Sequence, residues 1–267
     1  MLIKMMERIK KSMLFICLLL CLQGGAQQFK VLVYTSPDRW HDATVPIAIQ
    51  KFEELALKHH FNLVWAQNSG SKGVRDVFTE EYLKSVDVIV FLHSRGYDLS
   101  AEQMKNFKSF IRKGGGFVGI HAVTANKNQE PWFQQLVGRV FTDHPEEQTA
   151  VLTVKDKTHP ATFHLPEKWI WTDEWYSYGP ALTPNQKILL EVDEKTYDPD
   201  RTWGDNNRFT AMGSFHPISW YQEFDGGRSF YTTLGHIPKS FEDPWFLAHI
   251  YGGIYWAATG LGKTSNE

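Results

Sequence analysis

The sequence predicts a three-layer α/β fold, in which a mostly parallel β-sheet lies between two layers of helices, with an added antiparallel region in the second half. Short apolar runs rich in β-branched residues, typical of strands buried on both faces, alternate with helical patterns up to residue 120. Beyond residue 140, strand-like runs follow one another until a single closing helix. Strands that alternate with helices form parallel sheets through right-handed crossovers, which accounts for the parallel half.

The first 120 residues contain the elements of the parallel half in a regular order. Residues 46–59 repeat apolar side chains at an approximately helical spacing, among them Ile49 and Phe52. Ser100 and Gln103 form the pattern of a capping box, which marks the start of a helix. We predict strands at residues 29–35, 61–65, 86–92 and 116–120, and helices at residues 46–59, 80–83 and 100–112.

The second half has weaker patterns, separated by long aromatic and polar loops. The closing helix is predicted at residues 243–258, because Asp243 is a favourable N-cap and Pro244 suits the first helical turn. In open α/β sheets ligands bind at the carboxyl ends of the strands, so residues just after strands are the first candidates for a site. The predicted strands are residues 149–154, 187–192, 209–213 and 228–234.

Residues 1–26 have the pattern of a secretory signal peptide, with basic residues, an apolar run at 13–22 and small residues before the expected cut. We expect cleavage after Ala26 and export to the periplasm or the exterior. Anchoring as a lipoprotein through Cys21 is the weaker alternative, because Leu20 stands where a small residue is expected. No later run has the roughly 18 apolar residues that a membrane-spanning helix needs.

The remaining chain is interpreted as a single domain at residues 27–258, followed by a polar C-terminal tail at 259–267. Both cysteines, Cys17 and Cys21, belong to the predicted signal peptide, so disulfides and a catalytic thiol are excluded from the mature protein. Removing residues 1–26 changes the net charge from −2 to −5. Nucleic acid is therefore not an expected partner.

Four histidines follow predicted strands, and a parallel sheet would bring most of them to one edge: His41, His93, His121 and His236. Imidazoles titrate near neutral pH and bind metals, so the group suits proton transfer or a divalent metal such as zinc. We expect His121 to be catalytic, His93 to bind substrate, and His41 and His236 to be metal ligands. The spacing lacks a close histidine pair typical of zinc, and the alternative for each is a hydrogen-bonded structural histidine.

The stretch Gly114-Gly-Gly-Phe-Val-Gly-Ile-His121 places three glycines before a buried strand and a reactive side chain directly after it. A sharp turn at this point exposes its central residue and directs backbone N–H groups at a ligand. In hydrolases with such a turn the central residue is serine or cysteine. With His121 in that position, a covalent mechanism of the serine or cysteine type loses its nucleophile.

A carboxylate pair at Asp173 and Glu174 stands among aromatic residues, including Trp175 and Tyr176. Aromatic walls remove solvent from a carboxylate, so we expect a raised pKa for Glu174 and a role as general acid or base. Trp175 and Tyr176 are expected to bind substrate, because sugars stack on aromatic faces while carboxylates and imidazoles contact their hydroxyls. The alternative is an acid on an exposed turn.

Several stretches, in this order, resemble the ThuA-like (trehalose utilisation) family over about residues 29–258. They are Arg39-Trp-His41-Asp, residues 114–122, His159-Pro-Ala-Thr, Asp173-Glu-Trp-Tyr176, His216-Pro-Ile-Ser-Trp220 and residues 227–236. The resemblance implies the flavodoxin-like fold of class I glutamine amidotransferases without their catalytic cysteine. It also includes a histidine after Phe141, which makes His144 a candidate substrate-binding residue. Trp40 departs from the commoner Phe-Arg-His pattern, which puts the role of Arg39 in doubt.

The resemblance further implies a role in disaccharide breakdown, beside sugar dehydrogenases, with a small carbohydrate as partner. The leading hypothesis is an enzyme that acts on a glycoside or 3-keto-sugar by acid–base chemistry of His121 and Glu174, with a divalent metal left open. The alternative is a non-catalytic sugar-binding or accessory protein on the same fold. Glutamine amidotransfer is contradicted by the missing cysteine, and the sequence leaves the oligomeric state open.

Overall fold

The computed structural model of the chain describes residues 28–36, 39–67, 76–125, 130–201 and 211–262. The expected signal peptide, with Cys17 and Cys21, lies outside the described residues. So do the last five residues of the polar tail, 263–267.

The described residues form eleven strands and five α-helices. The strands are β1 Lys30–Thr35, β2 Asn62–Gln67, β3 Val88–Leu92, β4 Gly116–Ile120, β5 Phe141–Asp143, β6 Gln148–Val154, β7 Lys168–Asp173, β8 Ser177–Tyr178, β9 Lys187–Val192, β10 Pro217–Phe224 and β11 Gly227–Thr232. The α-helices are α1 Thr44–His59, α2 Glu80–Leu83, α3 Ala101–Arg112, α4 Pro131–Val137 and α5 Pro244–Thr259. Short 3₁₀ turns occur at Gly96–Asp98, His121–Thr124, Glu194–Thr196 and Pro238–Glu242.

Nine of the strands form one sheet in the order β2-β1-β3-β4-β11-β10-β9-β6-β7. The five strands from β2 to β11 are parallel neighbours, in the order typical of flavodoxin-like folds. From β11 to β7 every pairing is antiparallel. β5 and β8 form a separate two-stranded sheet. The predicted parallel half with an added antiparallel region is therefore confirmed.

The parallel strands are buried because helices cover both faces of the sheet. Successive side chains of a strand point to opposite faces, and β1 follows this rule. Val31 and Val33 pack in the core on the side of α1 and α5, whereas Leu32 packs on the side of α3 and α4. This double cover explains why the strands of the parallel half are apolar almost throughout.

The predicted helix starts are confirmed at the level of side-chain hydrogen bonds. Ser100 and Gln103 make both bonds of the capping box at α3, and Asp243 accepts from the backbone N–H groups of Trp245 and Phe246 at α5. The predicted strand at 209–213 is wrong for residues 211–213, which form no strand, while 209–210 lie outside the described residues. Four antiparallel strands were not predicted: β5, β7, β8 and β10.

None of the helices in the described part of the chain combines the length and apolar character needed to cross a bilayer.

Candidate functional site

The carboxyl ends of four neighbouring parallel strands bring four histidines into contact. His93 and His121 directly follow β3 and β4, while His41 follows β1 and His236 follows β11. The ring of His41 stacks on that of His93, with centroids 4.4 Å apart, and lies 5.1 Å from the ring of His121. The rings of His121 and His236 are also 5.1 Å apart. The structure therefore assembles one histidine cluster, defined by these four residues.

The turns after β3 and β4 have unusual backbone conformations. His121 has φ +58° and His93 has φ +54°, in the left-handed region that residues other than glycine rarely adopt. The carbonyl oxygen of His121 accepts a hydrogen bond of 2.7 Å from the Tyr231 hydroxyl, which helps to hold the turn. Such strained positions occur mainly where a side chain must be presented in a fixed direction.

The ring of His121 is oriented by its hydrogen bonds. Nδ1 lies 2.6 Å from the carbonyl oxygen of Thr233, which can only accept, so Nδ1 carries hydrogen. In the neutral ring Nε2 is then a lone-pair acceptor, and the Tyr176 hydroxyl lies 2.8 Å from it. Burial lowers the pKa of His121, against the raising effect of Glu174. His121 is thus a neutral base whose Nε2 faces the cluster, with Tyr176, His236 and Glu174 around it.

Glu174 faces the histidines across this cluster. Its Oε2 lies 3.3 Å from Nε2 of His121 and 3.9 Å from Nε2 of His144, and its Oε1 lies 3.4 Å from Nε2 of His236. Burial alone would raise the pKa of Glu174, but its contacts with His121, His144 and His236 lower it to about 2. The expected rise is therefore wrong. Glu174 is ionised at neutral pH.

Asp173 holds this part of the site together, and its role was not predicted from the sequence. It is fully buried and accepts hydrogen bonds from the backbone N–H groups of Gly235 at 2.8 Å and His236 at 3.2 Å. It also accepts from Nε1 of Trp171 at 3.0 Å. Asp173 is the last residue of β7 and directly precedes Glu174. These bonds therefore fix the position of His236 relative to Glu174.

The cluster suits a divalent cation. One ligand atom each from His41, His121 and His236 lies within 4.8 Å of the others. Burial lowers the pKa of His236 to about 4, so it offers a neutral imidazole, as His121 does. The ion pairs of Glu174 found in the described residues all join it to histidines, so its charge faces no permanent cation there. Neutral imidazoles with a carboxylate form a typical donor set for zinc.

The two histidines expected to bind substrate, His93 and His144, lie in different surroundings. His93 is fully buried behind His41, burial lowers its pKa, and neither ring nitrogen has a hydrogen-bond partner among the described residues. His144 is partly exposed and its ring lies 5.2 Å from that of Tyr176, at the side of the cluster that Glu174 faces.

The aromatic residues around Glu174 divide between the site and the core. Tyr176 reaches His121, and its ring packs against Phe141 at 4.5 Å. The structure places Trp175 away from the cluster, since its side chain is fully buried and Nε1 donates to the carbonyl oxygen of Gln148 at 3.0 Å. Trp175 therefore offers no open face for a sugar.

The residues just before His41 lie at the surface. Trp40 is 65% exposed, and the Arg39 guanidinium stacks over its ring at 4.4 Å from the ring centre. The Arg-Trp order of this chain thus produces a cation–π pair at the surface.

Comparison with known proteins gives a consistent result. The sequence matches the ThuA family, described as trehalose utilisation, over residues 30–257. A putative ThuA-like protein from Bacteroides uniformis is 25% identical, with a TM-score of 0.72 over 88% of this chain and 93% of that chain. One from Parabacteroides merdae is 20% identical, with a TM-score of 0.68 over 89% and 92%.

A more distant likeness concerns the fold alone. A cytoplasmic protein from Salmonella typhimurium is 11% identical, with a TM-score of 0.54 over 88% of this chain and 100% of that chain. The comparison with curated proteins gives no significant match. Together with the strand order, the structural likenesses confirm the predicted amidotransferase-like α/β fold.

Proposed function

Because the chain belongs to the ThuA family, for which trehalose utilisation implies a role connected with sugars, we propose that it is an enzyme of sugar catabolism. It acts on a glycoside or a 3-keto-sugar by acid–base chemistry. The observation that carries the proposal is the neutral, buried His121, whose Nε2 lies 3.3 Å from the ionised Glu174.

The chemistry of a keto-sugar matches this pair. The C–H bond next to a carbonyl is acidic enough for an imidazole to remove its proton, and His121 takes that proton on Nε2. Glu174 then stabilises the imidazolium that forms, while the bond to Thr233 keeps the ring in place. The Tyr176 hydroxyl, whose pKa is raised well above its usual range by burial, stays protonated. It donates to Nε2 of His121 in the resting site and, once Nε2 takes the proton, donates instead to an oxygen that gains negative charge.

As an alternative to proton transfer at Nε2 of His121, the same cluster fits a divalent metal ion, and we propose His41, His236 and His121 as its ligands, with Glu174 as a fourth. The ligand atoms of the three histidines lie close enough together to share one ion. The hydrogen bond from Nδ1 of His121 to a backbone carbonyl is the usual outer contact of a metal-binding histidine. When bound, the metal would polarise a substrate oxygen as a Lewis acid.

The test is a substrate panel. The purified protein is incubated with trehalose, other disaccharides and their 3-keto derivatives, and cleavage or isomerisation is followed by mass spectrometry. We expect turnover of a keto-glycoside, and a loss of about 10²- to 10⁴-fold in His121→Ala, the range for a general base. His164→Ala is the matched control, because His164 bonds the Trp245 carbonyl away from the cluster.

Unchanged turnover in folded His121→Ala would refute the assignment. Binding of these sugars without any turnover would instead identify the protein as a non-catalytic sugar-binding or accessory protein.

We also propose that the protein is exported by its N-terminal segment. N-terminal sequencing of the protein expressed in a bacterial host, after separation of periplasm and cytoplasm, should give Gln27 as the first residue of the periplasmic form. A cytoplasmic product that retains residues 1–26 would contradict the proposal.

A further inference from the structure

A pair of residues, the buried His216 and the partly buried Glu194, lies behind the loop that carries Glu174 and Tyr176. His216 precedes β10 and is 1% exposed, and Glu194 begins the 3₁₀ turn after β9. Nδ1 of His216 lies 2.7 Å from Oε1 of Glu194, and Nε2 lies 2.9 Å from the carbonyl oxygen of Tyr176. The proposed acid–base chemistry makes no use of this pair.

The hydrogen bonds of the pair determine its charge state. A backbone carbonyl can only accept, so Nε2 of His216 donates to Tyr176. Glu194 also accepts from the backbone N–H groups of Met212 at 2.6 Å and Gly213 at 2.7 Å. These bonds are typical of an ionised carboxylate, and Nδ1 of His216 must then donate as well. From this hydrogen-bond geometry we infer an imidazolium joined to a carboxylate.

Burial and hydrogen bonding act in opposite directions on Glu194. Burial alone would raise its pKa, but the bonds from His216, Met212 and Gly213 lower it. The carboxylate charge is thus kept by the same contacts that hold His216 in its doubly protonated form.

The pair fixes one end of the loop between β7 and β8. That loop contains three residues, and Asp173 anchors its first end through bonds to Gly235 and His236. At the other end, His216 holds the Tyr176 carbonyl. Tyr176 in turn places its hydroxyl 2.8 Å from Nε2 of His121. A shift of the Tyr176 backbone would therefore move the hydroxyl away from the proposed base.

Stability alone is a poor explanation for such a pair. The desolvation cost of a buried ion pair commonly cancels its attraction, and apolar residues of similar size are often as stable. What a buried ion pair provides is a fixed geometry. In this protein that geometry is transmitted to Tyr176 and so to His121.

We propose that His216 and Glu194 are positioning residues that hold the Tyr176 hydroxyl on Nε2 of His121. The inference rests on the proposed function only in taking His121 as the working base. The pair touches neither the histidine cluster nor the expected substrate, and it acts through the backbone of Tyr176.

The test reads the histidine rings directly. The full chain is labelled with ¹⁵N-histidine, and two-bond ¹H–¹⁵N spectra near neutral pH report the protonation of each ring nitrogen. Assignments come from the loss of signals in His216→Gln and His121→Ala. In the unaltered protein we expect both nitrogens of His216 to be protonated, and Nε2 of His121 to show a hydrogen-bonded lone pair.

Three variants separate the proposal from a purely structural role. Glu194→Gln should make His216 neutral and also shift the Nε2 signal of His121. Tyr176→Phe should reproduce the His121 shift without changing His216. The matched control is Glu191→Gln, a carboxylate on β9 that pairs with Lys155 at 3.1 Å, and it should shift neither. If Glu194→Gln does not fold, Glu194→Asp keeps the charge and should move the His121 signals in the same direction by less.

A neutral His216 in the unaltered protein, or unchanged His121 signals in folded Glu194→Gln, would overturn the proposal. These outcomes do not depend on finding a substrate, so failure of the sugar assay and failure of the positioning pair are distinguishable. Where a keto-glycoside is turned over, we expect Glu194→Gln to lower kcat by up to about 100-fold with little change in KM, since small misplacements of catalytic groups cost that much.

Discussion

Nε2 of His121 lies 3.3 Å from Oε2 of Glu174, and the two side chains are 0% and 6% exposed. The protonation state of each side chain depends on the other. The carboxylate counteracts the burial that lowers the pKa of His121, and the histidines lower the pKa of Glu174 to about 2. A buried base therefore faces a permanent negative charge, and this arrangement can stabilise an imidazolium, bind a divalent cation, or do both in turn.

Glu174→Gln should abolish most of the activity and also lower the stability of the protein. The change removes the charge that stabilises the imidazolium, so we expect kcat/KM to fall by about 10²-fold or more. It also removes a carboxylate whose pKa is lowered to about 2 by its histidine neighbours, so the folded state loses a charge that it stabilises and the thermal midpoint should fall. Steady-state kinetics and thermal unfolding measure the two effects.

Glu146→Gln is the control for this change, because it removes a carboxylate that pairs with Arg201 at the surface. A fall of less than about tenfold in kcat/KM for Glu174→Gln would contradict the electrostatic role of the residue.

Zinc or cobalt should stabilise the protein through the histidine cluster. A ligand that binds only the folded state adds about 2.7 kcal/mol at a concentration 100 times its Kd. We expect the thermal midpoint to rise on addition of Zn²⁺ and to return on chelation. Co²⁺ should give the visible absorption of a site with imidazole ligands.

His41→Ala and His236→Ala should remove most of this stabilisation by metal, whereas His164→Ala should retain it. An equal rise of the thermal midpoint in all three variants would show that the metal binds elsewhere.

The free energy of unfolding should decrease as the pH is lowered, because of His249. This histidine is fully buried in α5. Its Nδ1 donates to the Ala161 carbonyl oxygen, its Nε2 accepts from the Thr232 hydroxyl, and burial lowers its pKa to about 3 from 6.5. The unfolded chain binds the proton below pH 6.5 and the folded chain does not. The stability is thus complete above pH 6.5 and is lost as the pH falls toward 3.

One such group gives a slope of about 1.4 kcal/mol per pH unit, or about 2 to 3 kcal/mol lost by pH 4.5. Urea unfolding at several pH values measures the slope. His249→Gln should reduce it, and His60→Gln, at an exposed position, should not. Equal slopes in His249→Gln and the unaltered protein would show that His249 is not the responsible group.

Ser100→Ala should destabilise the protein by about 1 kcal/mol, the usual cost of losing an N-cap. The Ser100 hydroxyl accepts from the backbone N–H of Gln103 at 3.2 Å, and the Gln103 side chain accepts from the backbone N–H of Ser100 at 2.9 Å. Urea unfolding measures the change. Ser109→Ala, inside the same helix, should be neutral or slightly stabilising, because alanine is the better helix former. An unchanged free energy of unfolding in Ser100→Ala would show that this N-cap does not contribute to stability.

The parallel half of the fold could be predicted because its signals are local. A buried strand, a capping box and a helical repeat each occupy one short segment, and the alternation of strands with helices leaves few possible topologies. His93 and His121 followed directly from this, since each stands immediately after a strand and parallel strands end at the same edge. The proximity of these two side chains could therefore be predicted without knowing which distant segments of the chain pair.

The antiparallel half could not be predicted in the same way. β11 lies between β4 and β10, which are separated by about a hundred residues of chain, and no local pattern specifies such partners. In β7, which was not predicted, Trp169 and Trp171 alternate into the core.

By itself the sequence determined which side chains could carry the chemistry: several histidines at strand ends, the carboxylate of Glu174, and no cysteine after residue 26. Only the tertiary structure decided their states and directions. The neighbours of Glu174 along the chain are aromatic and would raise its pKa, but its neighbours in space are His121, His144 and His236, which lower it. Trp175 and Tyr176 are adjacent in sequence and point to opposite sides. Electrostatics and packing act through space, so the charge and orientation of each group are set by residues that the folded chain brings together.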